Sequence, residues 1–80
     1  MSGPAAELTT RKTEHGTVLA FSGRLDMAGA ARLWHRAMRA ARAARPGTLG
    51  FDLRALGDLD MAGATLLAAA EAAHGPDPAA

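Results

Sequence analysis

The chain has 80 residues, a formal net charge of +1 and no cysteine, so it encodes one small domain without disulfides or thiolate metal sites. The near-neutral charge gives no global reason to expect nucleic acid or a membrane as the partner. No apolar run approaches the roughly 20 residues of a membrane span, and the N-terminus lacks the pattern of a signal peptide. Composition therefore predicts a soluble protein of a reducing compartment, the cytoplasm.

The N-terminal quarter of the chain predicts a β-hairpin. Residues 1–6 are small and polar and are expected to form a flexible end. Residues 7–14 are rich in threonine and charge, which favours an edge strand. His15 and Gly16 can form a tight turn, and the apolar residues 17–22 predict a buried strand.

A helix follows the hairpin. Asp26 is a strong N-cap, helix formers run from residue 27 to about 44, and Pro46 with Gly47 ends the run. At 3.6 residues per turn, one face is apolar and carries Ala30, Leu33, Trp34, Ala37, Met38 and Ala41. The opposite face is basic and carries Arg32, Arg36 and Arg39, with His35 and Arg42 on its flank.

The C-terminal half predicts a strand and a second helix. Residues 48–53 are the best candidate for the central strand, and 54–59 are expected to form a loop. Asp60 can cap a helix over 61–73, with His74 in its last turn near the negative end of the helix dipole. The order β-β-α-β-α implies an α/β fold with a small mixed sheet. A single domain is expected over 7–75, with flexible ends at 1–6 and 76–80.

Two identical hexapeptides, Leu-Asp-Met-Ala-Gly-Ala, occupy residues 25–30 and 59–64. Each begins a helix that follows a strand. An aspartate cap followed by small helix formers is what such a junction requires, so we interpret the repeat as shared junction chemistry rather than as duplication.

The motifs at 19–26, 50–56 and 59–64 together resemble the STAS domain family. Residues 22–26 are similar to its "sGrLD" turn, residues 51–56 to its "vDLsgl" strand end, and residues 60–63 to its "DsaG" loop. The resemblance is greatest to STAS modules of bacterial Mla-type phospholipid-transport ABC permeases, with anti-sigma-factor antagonists as the alternative. It implies a non-enzymatic regulatory module that binds a protein partner, either the transporter's ATPase or permease or an anti-sigma factor. Through such a partner the chain would sit at the inner face of the membrane.

The resemblance also implies a docking site at the start of the second helix. That site comprises Asp58, Asp60, Met61, Ala62, Gly63 and Ala64. Phospho-regulated antagonists carry a serine where this chain has Ala62, so no phosphorylation is expected there. We expect a Gly63→Glu variant to lose the partner while keeping its helix content. A complete STAS domain continues with another strand and helix, so the resemblance leads us to expect a truncated version with an exposed sheet edge through which two copies could pair.

Catalytic and metal chemistry find little support in the sequence. Asp52, Asp58 and Asp60 cluster near the third strand, but no histidine, lysine or phosphate-binding loop accompanies them. The three histidines match no zinc spacing, and Ser22 has no GxSxG context. We therefore predict no catalytic residues, no metal and no cofactor. The basic face of Arg32, Arg36 and Arg39 is either a solvated face or a secondary surface for a protein or anionic lipid, and nucleic acid is not expected.

Overall fold

The computed structural model describes residues 3–45 and 47–75. Its elements follow the predicted α/β order, with three strands and two helices. They are β1 Glu7–Thr13, β2 Gly16–Leu25, α1 Met27–Ala43, β3 Leu49–Leu59 and α2 Met61–His74. Within the described ranges, no helix has the length and apolarity that a membrane crossing requires.

The mixed sheet has the order β1-β2-β3, so β2 is the central strand and the prediction of 48–53 as the central strand is wrong. β1 pairs with β2 antiparallel, and β3 pairs with β2 parallel. The hairpin and the α1 crossover place β1 and β3 on opposite edges of β2, because each connection adds its strand beside the one before it. Strict alternation of buried and half-buried residues along β2 places its odd-numbered side chains under the helices.

Strand β3 also extends through 54–59, where the sequence predicted a loop. The register shifts twice, between Ala20 and Ser22 and between Gly23 and Arg24 on β2. Both shifts leave an extra residue on β3, as in β-bulges. These irregularities keep the polar, glycine-containing segment in the ladder, although its composition is typical of a turn.

The core lies between the sheet and the two helices. Its largest fully buried side chains are Phe21, Leu19, Leu25, Leu33 and Leu66. The rings of Phe21 and Phe51 lie 6.4 Å apart between centroids. The predicted apolar face of α1 is buried as expected, with Trp34 only partly covered. At the end of α2, His74 Nδ1 donates to the Ala41 carbonyl at 2.9 Å and ties the two helices together.

The N-terminal end, for which the sequence predicts flexibility, contacts the sheet from Gly3 onward. Arg24 Nη1 donates to the Gly3 carbonyl at 2.8 Å, and Arg24 N donates to the Pro4 carbonyl at 2.9 Å. Ala5 forms a β-bridge with Arg24, and Ala6 is almost fully buried. The alanine-rich segment fits closely beside Gly23 and α1, and the flexibility of residues 1–6 stays a prediction. The predicted flexible residues 1–2 and 76–80 lie outside the described residues.

Candidate functional site

The two hexapeptides lie side by side at the carboxyl end of the parallel strands. Leu25 and Leu59, the first residue of each copy, are direct register partners, and neighbouring strands lie about 4.8 Å apart. Each following aspartate caps its helix: Asp26 Oδ1 accepts from Gly29 N, and Asp60 Oδ1 accepts from Gly63 N, both at 2.9 Å. The sequence interpretation of the repeat as strand-to-helix junction chemistry agrees with this geometry.

The glycine of each copy lets its helix approach the sheet closely. A Cβ on Gly63 would lie 2.7 Å from Leu59 Cδ1 and closer still to the Leu25 carbonyl oxygen. A Cβ on Gly29 would meet Ala6 Cβ at 2.8 Å and the Arg24 carbonyl oxygen at 2.9 Å. Gly63 is therefore buried, and it does not lie on the surface predicted for it. A Gly63→Glu variant would disturb the packing of α2, so it cannot test partner binding alone.

The other predicted docking residues lie at or near the surface. Asp58, Asp60, Met61 and Ala64 are exposed, and Ala62 is half-buried. Met61 is 84% exposed, the largest value among the exposed large hydrophobic side chains of the described residues. There is no loop of several residues here, because Asp58 still belongs to β3 and Asp60 caps α2 directly.

The sequence-based site missed Met27. Met27 is the first residue of α1, as Met61 is of α2, and it is 74% exposed. Because Leu25 and Leu59 are register partners, the helices that begin at Met27 and Met61 start at the same end of the sheet, and Leu59 is 46% exposed. We call Met27, Leu59 and Met61 the methionine patch. The repeat was the signal that could have found it.

The carboxylates around the patch are already engaged. Asp26 accepts from Gly29 N and forms an ion pair with Arg24 Nε at 2.7 Å, and these contacts hold the pKa of Asp26 below its ordinary value. Asp60 is engaged as the cap of α2. Both carboxylates act as helix caps, and the exposed side chains of Met27 and Met61 offer apolar contact to a partner.

Asp52 lies apart from Asp58 and Asp60, on the other face of the sheet from Phe51. Its carboxylate accepts from Arg54 Nη2 at 2.9 Å and Nε at 3.0 Å, and from Arg11 Nη2 at 3.4 Å. The hydrogen bonds from Arg54 hold the pKa of Asp52 far below its ordinary value, with Arg11 contributing less. The described residues contain no group of three or more side chains placed to hold a metal ion.

The arginines predicted to share one face of α1 divide into two sets. Arg32 Nη2 donates to the Ala6 carbonyl, and Arg36 Nη2 donates to the Leu8 carbonyl at 2.8 Å. Arg36 therefore bonds a residue near the start of β1, and Arg32 bonds the residue that precedes this strand. Arg39 lies instead beside Arg42, where both line a surface groove with Trp34.

Comparison with known proteins identifies the family. The family model described as "Mlab, STAS domain" matches residues 8–77. A search of the curated proteins returned no match, and a search of the solved structures likewise returned none. The match covers most of the 80 residues and agrees with the β-β-α-β-α order and with the capped helix that begins at Met61. The chain belongs to the STAS domain family.

Proposed function

We propose that this STAS domain is a non-enzymatic regulatory module that binds the ATPase subunit of a bacterial Mla-type lipid-transport ABC transporter. The observation that carries the proposal is the methionine patch, because two large apolar side chains, 74% and 84% exposed, begin the two helices at the same end of the sheet. STAS domains are generally non-catalytic protein-interaction modules, and the matching family model carries the description Mlab. In this role the domain acts in the cytoplasm, at the inner face of the membrane through its partner.

The chemistry of the patch favours a protein partner. Large apolar side chains exposed at one end of a small fold favour an interaction site there, and methionine adapts its shape to the surface it meets. Asp58 is exposed in β3 and directly precedes Leu59, so it adds a polar group at the margin of the patch. An apolar centre with a polar rim is the usual anatomy of a protein–protein interface.

The second candidate is an anti-sigma-factor antagonist that uses the same surface. Ala62 lacks the hydroxyl that a kinase would modify, and the nearby Thr65 hydroxyl donates to the Met61 carbonyl at 2.8 Å. An antagonist with these residues would bind constitutively, because phosphate cannot be added at position 62 to repel the partner. The transporter assignment is preferred because of the description of the family model.

The test is a binding measurement between the full chain and the transporter ATPase of its host. We expect Met27→Gln and Met61→Gln each to weaken binding roughly 10-fold, as for truncation of a moderate hot spot. Leu53→Gln is the matched control, because Leu53 is 38% exposed on β3 outside the patch. All three variants should unfold like the wild type, since each site is exposed.

The outcomes separate the two candidates. Binding to the ATPase that depends on both methionines, with Leu53→Gln unchanged, supports the transporter role. Binding to an anti-sigma factor with the same dependence, and none to the ATPase, replaces it with the antagonist role. Equal binding by all three variants would remove the methionine patch from either role.

A further inference from the structure

The charges of the chain are distributed unevenly over the fold. Helices α1 and α2 carry four arginines and a single carboxylate, Glu71, a balance of +3. The rest of the chain therefore has a balance of −2, which gives the net +1. The small net charge thus conceals a basic helical layer, and α1 itself contains no acidic residue.

Two of the four arginines are free to meet a partner. Arg32 and Arg36 donate to carbonyl groups at or just before the start of β1. No hydrogen bond or ion pair within 3–45 and 47–75 engages Arg39 or Arg42, and both side chains are exposed. Together with Trp34, His35 and Met38 they line a shallow groove of about 450 Å³. The groove therefore places two guanidinium groups near the partly buried indole ring of Trp34.

We propose that this face of α1, defined by Trp34, His35, Arg39 and Arg42, binds the phosphate-bearing surface of an anionic lipid membrane. Guanidinium groups bind phosphate oxygens through paired hydrogen bonds. Tryptophan is the side chain enriched at membrane–water interfaces, since its ring is apolar and its N–H is polar. Helix α1 carries no carboxylate of its own, so Arg39 and Arg42 present an uncompensated positive face to an anionic plane.

The open shape of the groove favours a flat surface over a small enclosed anion. The two free arginines, Arg39 and Arg42, lie about 4.5 Å apart along the axis of α1 and line a groove that is open to solvent. Single-stranded nucleic acid is bound by several stacked aromatic side chains, whereas this groove offers Trp34 and His35.

The proposed membrane face is separate from the methionine patch. Arg39 follows Met27 by twelve positions on the same helix, which corresponds to about 18 Å along the axis. The membrane contact and the protein contact can therefore exist together, and either proposal can fail without the other.

Trp34 is the only tryptophan in the chain, which also has no tyrosine, so its fluorescence reports directly on the groove. The full chain is titrated with phosphatidylcholine vesicles containing roughly one-third phosphatidylglycerol, and separately with pure phosphatidylcholine vesicles. We expect a blue shift and saturable binding with the anionic vesicles alone, weakened by added salt because the contact is electrostatic.

The decisive comparison uses two charge-matched double variants. Arg39→Gln with Arg42→Gln should reduce the partition coefficient on the order of 30-fold, from about 1 kcal/mol per arginine near an anionic surface. Arg11→Gln with Lys12→Gln removes the same charge from β1 and should reduce it far less. Circular dichroism should show both variants folded.

Three results would overturn the proposal. Equal binding to pure phosphatidylcholine would remove the electrostatic basis. Equal losses of vesicle binding in the two double variants would show that net charge, and not this face of α1, determines binding. Displacement of the vesicles by polyglutamate, with tighter binding that depends on Arg39 and Arg42, would assign the face to an acidic protein segment instead.

Discussion

Substitution of Gly63 by alanine tests the packing that places α2 on the sheet. Gly63 is buried in the first turn of α2, and an added Cβ would lie 2.7 Å from Leu59 Cδ1. It would approach the carbonyl oxygen of Leu25 more closely still. That oxygen belongs to the backbone of the central strand, so it cannot move aside as a flexible side chain could. We therefore expect α2 to shift away from the sheet.

Two opposing effects determine how much Gly63→Ala changes the free energy of unfolding. Alanine favours a helix interior over glycine by about 1 kcal/mol. Overpacking of a close contact costs roughly 1–3 kcal/mol, and an approach to fixed backbone belongs at the upper end of that range. The net expectation is a loss of about 2 kcal/mol in the free energy of unfolding. For a domain of this size, that loss lowers the melting temperature by roughly 8–16 °C.

Gly50→Ala is the matched control, because its added Cβ would lie 3.8 Å from Val18 Cγ2, an ordinary contact. Alanine at a compatible backbone position stabilises by about 0.4–1 kcal/mol through the unfolded chain. Urea unfolding followed by circular dichroism and by Trp34 fluorescence measures both variants. A Gly63→Ala protein as stable as the wild type would refute the close contact between α2 and β2.

Three further changes test the caps, the sheet edge and the ion pair. Asp60→Ala should lower the free energy of unfolding by about 1 kcal/mol, because the α2 cap is lost. Asp58→Ala should leave it unchanged in the same urea unfolding. Equal effects of the two substitutions would contradict a stabilising role for the cap. Replacement of Arg32 and Arg36 by glutamine should lower the urea midpoint and speed amide exchange in β1, because two hydrogen bonds at or just before its start are lost; unchanged exchange would count against those bonds. The pKa of Asp52 lies below its ordinary value of 3.8, so its contribution to stability is complete above that value and is lost as the pH falls toward the folded pKa. The stabilities of wild type and Asp52→Asn, measured as a function of pH, should therefore converge at low pH. A constant difference across that range would contradict the link between the pKa of Asp52 and stability.

Local patterns identified the helices correctly for a physical reason. The Asp26 and Asp60 caps, the run of helix formers and the stop after each helix depend on neighbours in the sequence. The apolar face of α1 likewise follows from 3.6-residue periodicity. The helices therefore begin at Met27 and Met61, as the sequence predicts.

The position and length of β3 depended on contacts across the sheet. A short apolar run does not specify whether its strand is central or at an edge, since either position can bury one face. The segment 54–59 remains extended because it pairs with β2 through two register shifts. Pairing partners more than 30 residues away in the chain supply that information, and local propensity contains none of it.

The family, the fold class and the start of each helix were determined by the sequence alone, because motifs, caps and periodicity are local. Tertiary structure decided which residues of those motifs are exposed. The register of Leu25 with Leu59 starts both helices at the same end of the sheet, and the same junction buries Gly63. The packing of α1 on the N-terminal segment divides its arginines between the carbonyl groups of Ala6 and Leu8 and an open groove. At these junctions, exposure depends on the packing of elements distant in sequence, which the helix caps and the periodicity do not specify.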